Sequence, residues 1–376
     1  MRFPKQLFEP LVNLQELNLS KTMKILLLQP NWLSNLKQLR SFSYAVNQLY
    51  RIPMFTSPDG VPLTPNLEEL HLEDNNIRQI YAKQVEGLSS LKKLYLSRNS
   101  IRLIENCTFS NLFKLRYLYL DGNPLIQLED QSLLTNSIVF MNLAKTGLFS
   151  EQQYSSFNPL NINNSISSLD LSGTNLNSHQ LSGFVKYYRA LRTLNVNQNN
   201  LKILTSETFQ NLPSLEELLA ANNSLTQISA SSLPSKLWTQ LKTLHLSGNP
   251  IRCDCRLIEF CQWIKAKNFS YSRKLLQSMQ CVSKDGKRKS FPVLRVENRV
   301  KLKCLVEQNE WFRRALTATV FAISFLSTFA STVHRFRWNI RYWIFSHKVT
   351  LIWTVTHLST SMYVDTRCQY ISVLNN

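Results

Sequence analysis

Apolar positions recur along this chain with one long period. Leucines fall as Leu-x-x-Leu-x-Leu, an asparagine follows three residues later, and a further aliphatic residue two after that. Clean copies are Leu67, Leu70, Leu72, Asn75, Ile77, then Leu91, Leu94, Leu96, Asn99, Ile101, then Leu115, Leu118, Leu120, Asn123, Leu125. The ninth position of successive copies holds Thr22, Asn47, Asn75, Asn99, Asn123, Thr146, Thr174, Asn199, Asn223 and Asn249, ten copies spaced by 23 to 28 residues. The sixth position is apolar in most of them: Leu19, Leu72, Leu96, Leu120, Leu143, Leu171, Val196 and Leu246, with Tyr44 and Ala220 weaker.

This spacing is the leucine-rich-repeat signature. It predicts an α/β repeat fold: a horseshoe solenoid over residues 1–252, with about ten short parallel strands on the concave face and irregular or 3₁₀ segments outside. The ninth side chain must hydrogen-bond to turn backbone inside each coil, and a threonine hydroxyl can stand in for the asparagine amide. Phe8, Phe109 and Phe209 recur just before the next leucine run and are expected to stack as an aromatic spine on the convex side. One coil cannot bury its own leucines, so stability is expected to come from stacking.

The net charge of +19 raises the question of a nucleic-acid partner. Its distribution answers against one. Residues 1–250 carry 22 Lys and Arg against 17 Asp and Glu, residues 251–310 carry 14 against 6, and residues 311–376 carry 7 against 1. The excess lies in the C-terminal third, and the repeats are close to balanced, which fits a solvated basic surface.

After the last copy come Cys253, Asp254, Cys255, Trp263, Cys281 and Cys304. A solenoid needs its hydrophobic end covered, so residues 253–305 read as a cap. A short helix from Arg256 to Lys267 is expected there, with Leu257, Phe260 and Trp263 facing inward. Neighbouring cysteines at i and i+2 cannot easily bond to each other. Two disulfides are therefore expected between the pairs, either Cys253–Cys281 with Cys255–Cys304 or the exchanged pairing. The Cys-x-x-Cys or histidine spacing of a zinc site is missing. Oxidised cysteines belong outside the cytosol, and Asn-x-Ser/Thr sequons at Asn18, Asn106, Asn163, Asn222 and Asn268 agree. Cys107, Cys261 and Cys368 are left over, and the first two are expected to be buried thiols.

Ala315 to Val333 is a 19-residue stretch without a charge, long enough for a single transmembrane helix. Trp311 and Phe312 precede it. His334, Arg335, Phe336, Arg337, Trp338, Arg341, Tyr342 and Trp343 follow it as a basic, aromatic belt, which reads as the cytoplasmic side. Residues 334–376 are then a short cytoplasmic tail, and Val349 to Val364 is part of that tail, not a second span. The chain opens inside a repeat, with no secretory signal pattern, so it is expected to be N-terminally incomplete.

Three features together resemble the membrane-proximal half of a Toll-like receptor: the 24-residue repeats with their phenylalanines, the cap run NPIRCDCRLIEFCQWIK, and the run HRFRWNIRYWIF directly after the span. The resemblance covers residues 1 to about 346. It implies a pattern-recognition receptor of innate immunity at the plasma membrane or in the endosome, with the repeats extracellular or lumenal. It also implies a protein or microbial ligand and a homo- or hetero-dimer with full-length receptors. Members of that family continue into a cytoplasmic signalling domain. The residues after Phe345 do not follow its pattern, so this chain is expected to bind ligand, or to pair as a decoy, without signalling alone. A cell-surface adhesion or protein-binding protein with no immune role is the alternative.

No catalytic constellation, metal-binding cluster or cofactor motif is visible, which argues against an enzyme. His71 and His245 fall on outward strand positions and read as ordinary surface residues. Side chains alternate along a strand, so positions two, three, five, seven and eight of each copy face the concave side. Those positions collect Lys92, Lys93 and Tyr95, then Arg116, Tyr117 and Tyr119, then Phe140. Aromatic side chains beside Arg and Lys suit a protein interface. The candidate binding residues are therefore Lys93, Tyr95, Arg116, Tyr117, Tyr119 and Phe140.

Overall fold

The computed structural model describes residues 8–22, 33–128, 137–149, 165–282, 290–339 and 341–352. The chain divides into two compact units, Met1–Leu302 and Lys303–Asn376.

In the first unit each copy of the pattern makes one coil, numbered here 1 to 10. The coils contribute the strands Glu16–Asn18, Ser41–Ser43, Glu69–His71, Lys93–Tyr95, Tyr117–Tyr119, Phe140–Asn142, Ser168–Asp170, Thr193–Asn195, Glu217–Leu219 and Thr243–His245. They form one ten-stranded sheet in chain order, and every neighbouring pair is parallel and in register, as with Leu70 beside Leu94 and Leu94 beside Leu118. Each strand is three residues long, and alternation points its middle, fourth-position side chain into the coil while the third and fifth face out. Leu70, Leu94, Leu118, Met141, Leu169, Leu194 and Leu218 are buried at that position, and with the first- and sixth-position residues they form one continuous core.

The ninth-position asparagines hold the coils to one another. Asn99 Nδ2 donates to the Leu96 carbonyl of its own coil at 3.0 Å and to the Leu72 carbonyl of the preceding coil at 2.9 Å. Its Oδ1 accepts from Ile77 N–H, also of the preceding coil, at 3.1 Å. Asn75, Asn123 and Asn249 repeat this arrangement. Threonine reproduces only part of it. Thr22, Thr146 and Thr174 donate to the sixth-position carbonyl of their own coil, because a single short hydroxyl cannot also reach the coil before.

The residue just before each ninth position adopts left-handed backbone in all ten coils: Lys21, Val46, Asp74, Arg98, Gly122, Lys145, Gly173, Gln198, Asn222 and Gly248. Such backbone suits glycine or asparagine. At Gly248 a Cβ would displace the exposed Asn222 side chain.

On the outer side the coils carry short helices, among them Ala82–Val85, Ser178–Val185, Ser206–Phe209 and Ser235–Gln240. Coils 3 to 5 also contribute a three-stranded parallel sheet of Gln79–Ile80, Leu103–Ile104 and Gln127–Leu128. Phe109 and Phe209 are buried here as expected, and Phe8 is buried as well. The expected stack of rings needs correcting, because three coils separate Phe109 from Phe209. Val85, Phe184 and Leu233 hold the equivalent tenth place after their own asparagine or threonine. The spine is thus a row of large apolar side chains of mixed type.

The far end of the solenoid is covered by the helix Cys255–Lys267. Asp254 caps it by accepting from Leu257 N–H at 3.1 Å, and Asn268 ends it in left-handed backbone. Leu257 and Phe260 are buried, while Trp263 is half-buried and packs edge-on against Trp238 at 5.1 Å between centroids. A second helix, Ser272–Ser278, and an antiparallel pair, Gln280–Val282 with Ser290–Pro292, complete this part. Cys253 is bonded to Cys281, and Cys255 and Cys304 are each disulfide-bonded. Cys261 is buried as expected, whereas Cys107 is only half-buried, on a turn with left-handed backbone. Cys368 lies outside the described residues.

A helix assigned to Val293–Arg335 includes the uncharged stretch. Within it Arg314–Arg335 is long and apolar enough to cross a membrane, by length and composition, and none of it is buried inside the chain. Residues 341–352 are also helical.

The asparagine contacts predict a graded stability series. Asn99→Ala strands the buried Ile77 N–H and leaves the Leu72 and Leu96 carbonyls with only the amides of Asn75 and Asn123, and should cost about 1–3 kcal/mol in chemical denaturation. Asn99→Thr keeps the bond within the coil and should cost about half as much. Equal costs for the two variants would contradict the cross-coil role of the amide.

Candidate binding surface

Because the strands are in register, residues at the same position of successive coils stand side by side. At the fifth position this brings His71, Tyr95 and Tyr119 into a stack. The His71 and Tyr95 rings are 4.1 Å apart and nearly parallel at 9°, and the Tyr95 and Tyr119 rings are 4.6 Å apart at 11°. Phe140, from the third position of coil 6, closes the row at 5.1 Å from Tyr119 and 6.3 Å from Tyr117, tilted in both cases. Strand spacing is about 4.8 Å, so aromatic rings on adjacent strands meet at stacking distance with no backbone adjustment.

Ion pairs follow the same rule across coils 3 and 4. Lys92 binds Glu68, and Lys93 binds Glu69, each at 2.8 Å. Arg98 engages both carboxylate oxygens of Asp74 at 2.7 Å. The hydrogen bond from Lys92 holds the Glu68 carboxyl below its ordinary range, and that from Arg98 does the same for Asp74. Glu69 in turn raises Lys93, whose ammonium also lies 6.0 Å from the Tyr117 ring. Partial burial raises the Tyr95 and Tyr119 phenols, so both stay neutral hydroxyls at physiological pH. His71 sits between two carboxylates, with Nε2 3.7 Å from Glu69 and Nδ1 3.4 Å from Glu73.

Of the residues singled out from the sequence, Lys93, Tyr95, Tyr117, Tyr119 and Phe140 come together in this patch. Arg116 lies at its rim, exposed, one residue before the Tyr117 strand. Sequence reasoning treated His71 as ordinary surface, yet it forms one end of the stack. The signal was there: His71 holds the same fifth position as Tyr95 and Tyr119. His245 is exposed and has no such neighbours at its position. Phe113 was missed altogether. It is 75% exposed, just before coil 5, and it belongs to no position of the repeat pattern.

Among the sequons, Asn18, Asn106, Asn222 and Asn268 are exposed. Asn18 lies on the strand of coil 1, Asn222 at the left-handed corner of coil 9 and Asn268 at the end of the cap helix. Asn163 lies outside the described residues. Among the described residues no cluster of His, Cys, Asp and Glu could hold a metal ion.

Residues 65–125 and 189–251 match the leucine rich repeat family. These coils are leucine-rich repeats. Over 86 residues the chain is 33% identical to chondroadherin from Mus musculus, a match covering 23% of this chain and 23% of that protein. The fold resembles a chain in the structure of the Toll–Spatzle complex from Drosophila, with a TM-score of 0.53 and 21% identity over 67% of this chain and 32% of that one. An internalin from Listeria monocytogenes aligns at a TM-score of 0.47 and 19% identity, over 68% and 73% of the two chains. At 21% identity the Toll likeness is one of fold. The match spans about a third of the Toll chain and about a quarter of chondroadherin.

The leucine-rich-repeat geometry predicts that the stack is a real energetic unit. A double-mutant cycle of Tyr95→Ala and Tyr119→Ala should return a coupling of about 0.5–1.5 kcal/mol in favour of the pair. Strict additivity of the two losses would show that the rings are neighbours without mutual stabilisation.

Proposed function

We propose that this chain is a receptor-like protein of Toll-like receptor type that binds a protein through the concave patch of coils 3 to 6. The observation that carries the reading is the solvent-facing stack of His71, Tyr95, Tyr119 and Phe140, with Tyr117 39% exposed beside it. Rigid aromatic side chains lose little entropy on contact and supply large apolar area, which makes them common anchors of interfaces. The solenoid also suits the task, since a concave sheet of many coils offers an extended surface and no closed cleft.

The helix Arg314–Arg335 serves, in this reading, as a single membrane anchor at the plasma membrane or in the endosome. Trp338, Tyr342 and Trp343 would lie at the cytoplasmic interface with Arg335, Arg337 and Arg341. The repeats and the disulfide-bonded cap would then be extracellular or lumenal, and the exposed sequons would carry N-linked glycans. Pairing with a second receptor chain and a role in innate immunity belong to the same proposal. The similarity to chondroadherin fits a second reading, an adhesion protein with no immune role, which would use the same surface.

Photocrosslinking on whole cells tests the proposal. The full chain, displayed behind a cleavable signal peptide, carries benzoyl-phenylalanine in place of either Phe140 on the concave side or Ile203 on the outer side. The reading predicts a protein adduct from position 140 and none from position 203. Tyr95→Ser with Tyr119→Ser should reduce that adduct at least tenfold at unchanged surface expression. An adduct from position 203 alone, or from neither position, would refute the concave site.

A further inference from the structure

Parallel strands in register place every strand entry along one edge of the sheet and every strand exit along the other. Across coils 2 to 7 those edges differ in charge. The entry edge carries Lys37, Arg40, Lys92, Lys93, Lys114 and Arg116 against Glu68 and Glu69. The exit edge carries Glu73, Asp74 and Asp121 against Arg98 and Lys145, and Asp170 stands two strands along from Tyr119, at the fifth position of coil 7.

Internal pairing removes much of this charge but leaves the contrast. Lys92 and Lys93 are taken up by the two glutamates, and the Lys37 ammonium lies on the Pro62 and Leu63 carbonyls. Lys114 and Arg116 are exposed and form no ion pair among the described residues. On the exit edge Asp74 holds Arg98. Asp121 is hydrogen-bonded by Ser97 and Asn142, and Asp170 by Asn195 and the Ser172 N–H, all neutral donors. Arg98 also interacts electrostatically with Asp121, and Lys145 is a further cation on this edge. Between the edges lies the aromatic row, and Phe113, next in sequence to Lys114, stands 75% exposed.

We propose that the protein partner lies along these strands, from entry edge to exit edge, in one fixed orientation. Its acidic groups meet Lys114 and Arg116, an apolar side chain packs on Phe113 and Tyr117, and its basic groups lie over Asp121 and Asp170. This rests on the reading that the concave face takes a protein. The reversed orientation sets like charges against each other at both edges, and complementarity of this kind fixes register and excludes wrong partners.

The test uses the full chain and synthetic peptides. From Lys114 to Asp121 the backbone runs roughly 20–25 Å at ~3.3 Å per residue, so an extended peptide of about eight residues crosses the patch. One peptide has glutamates at one end, Trp-Leu in the middle and lysines at the other end. Controls replace all charges by serine or make both ends lysine. The dipolar peptide should bind at least tenfold more tightly than the serine control, and a photolabel on its acidic end should mark residues 113–117. Lys114→Glu with Arg116→Glu changes exposed side chains only. It should weaken the dipolar peptide at least tenfold and make the all-lysine peptide the best binder. Labelling of both edges alike, dipolar affinity unmoved by the charge reversal, or no dipolar binding up to about 1 mM would overturn the proposal. If those results came with an intact Phe140 adduct on cells, the fixed orientation would fall and the concave receptor site would stand. If oriented docking held and the adduct were absent, the charge contrast between the edges would stand without the receptor reading.

Discussion

A buried carboxamide that spans two coils is the contact on which the rest of this solenoid depends. Each ninth-position asparagine satisfies carbonyls of its own and the preceding coil and an N–H of the preceding coil, all inside the core. Backbone turning at the end of a three-residue strand leaves those groups without partners in the sheet. Burying them unpaired would cost about 1–3 kcal/mol for each group. The amide satisfies them and fixes the offset between coils in the same step. Where threonine replaces it, the coil keeps its internal turn, and the parallel sheet supplies the attachment to its neighbours.

Fixed offset is what gives the surface its order. With register constant, residues about 24 positions apart become neighbours, so a row of side chains on the sheet is a column of the repeat in the sequence. The fifth-position stack and the ion pairs Lys92–Glu68, Lys93–Glu69 and Arg98–Asp74 are products of that rule. The same rule gathers entry residues on one edge and exit residues on the other. Binding specificity can then be written by substitutions at outward positions, while the leucines and asparagines stay as they are. In coils 3 to 6 those positions are aromatic and charged. In coils 7 and 8 they are mostly small and polar, Ser168, Ser172, Thr193, Asn195 and Asn197, with Asp170 and Arg192 as charged exceptions.

Much of the fold could be read from the sequence because the repeat constrains every copy alike. The ten coils, the inward leucines, the cap helix with Leu257 and Phe260, and the neighbourhood of Tyr95, Tyr117, Tyr119 and Phe140 all follow from counting positions. Other features were hidden for identifiable reasons. The left-handed eighth position is held by Lys21, Val46, Arg98 and Gln198 as well as by glycines, so no residue type announces it. The aromatic spine looked like a stack of phenylalanines because Val85 and Leu233 fill the same place without being aromatic. His71 was overlooked because a histidine was weighed for its chemistry and not for its position between coils. Phe113 lies in a loop where the repeat imposes nothing, so its exposure could be learned only from the structure.

Native-state hydrogen exchange tests the cross-coil constraint most directly. The amides of Leu49, Ile77, Ile101, Leu201 and Leu225 donate to asparagine side chains of the following coil, although they lie outside the strands of the sheet. The account predicts that they exchange as slowly as the strand amides and that Asn99→Ala releases Ile77 selectively. Exchange of all five at the rate of the surface loops would show that the asparagines are spectators and that the sheet alone holds the coils together.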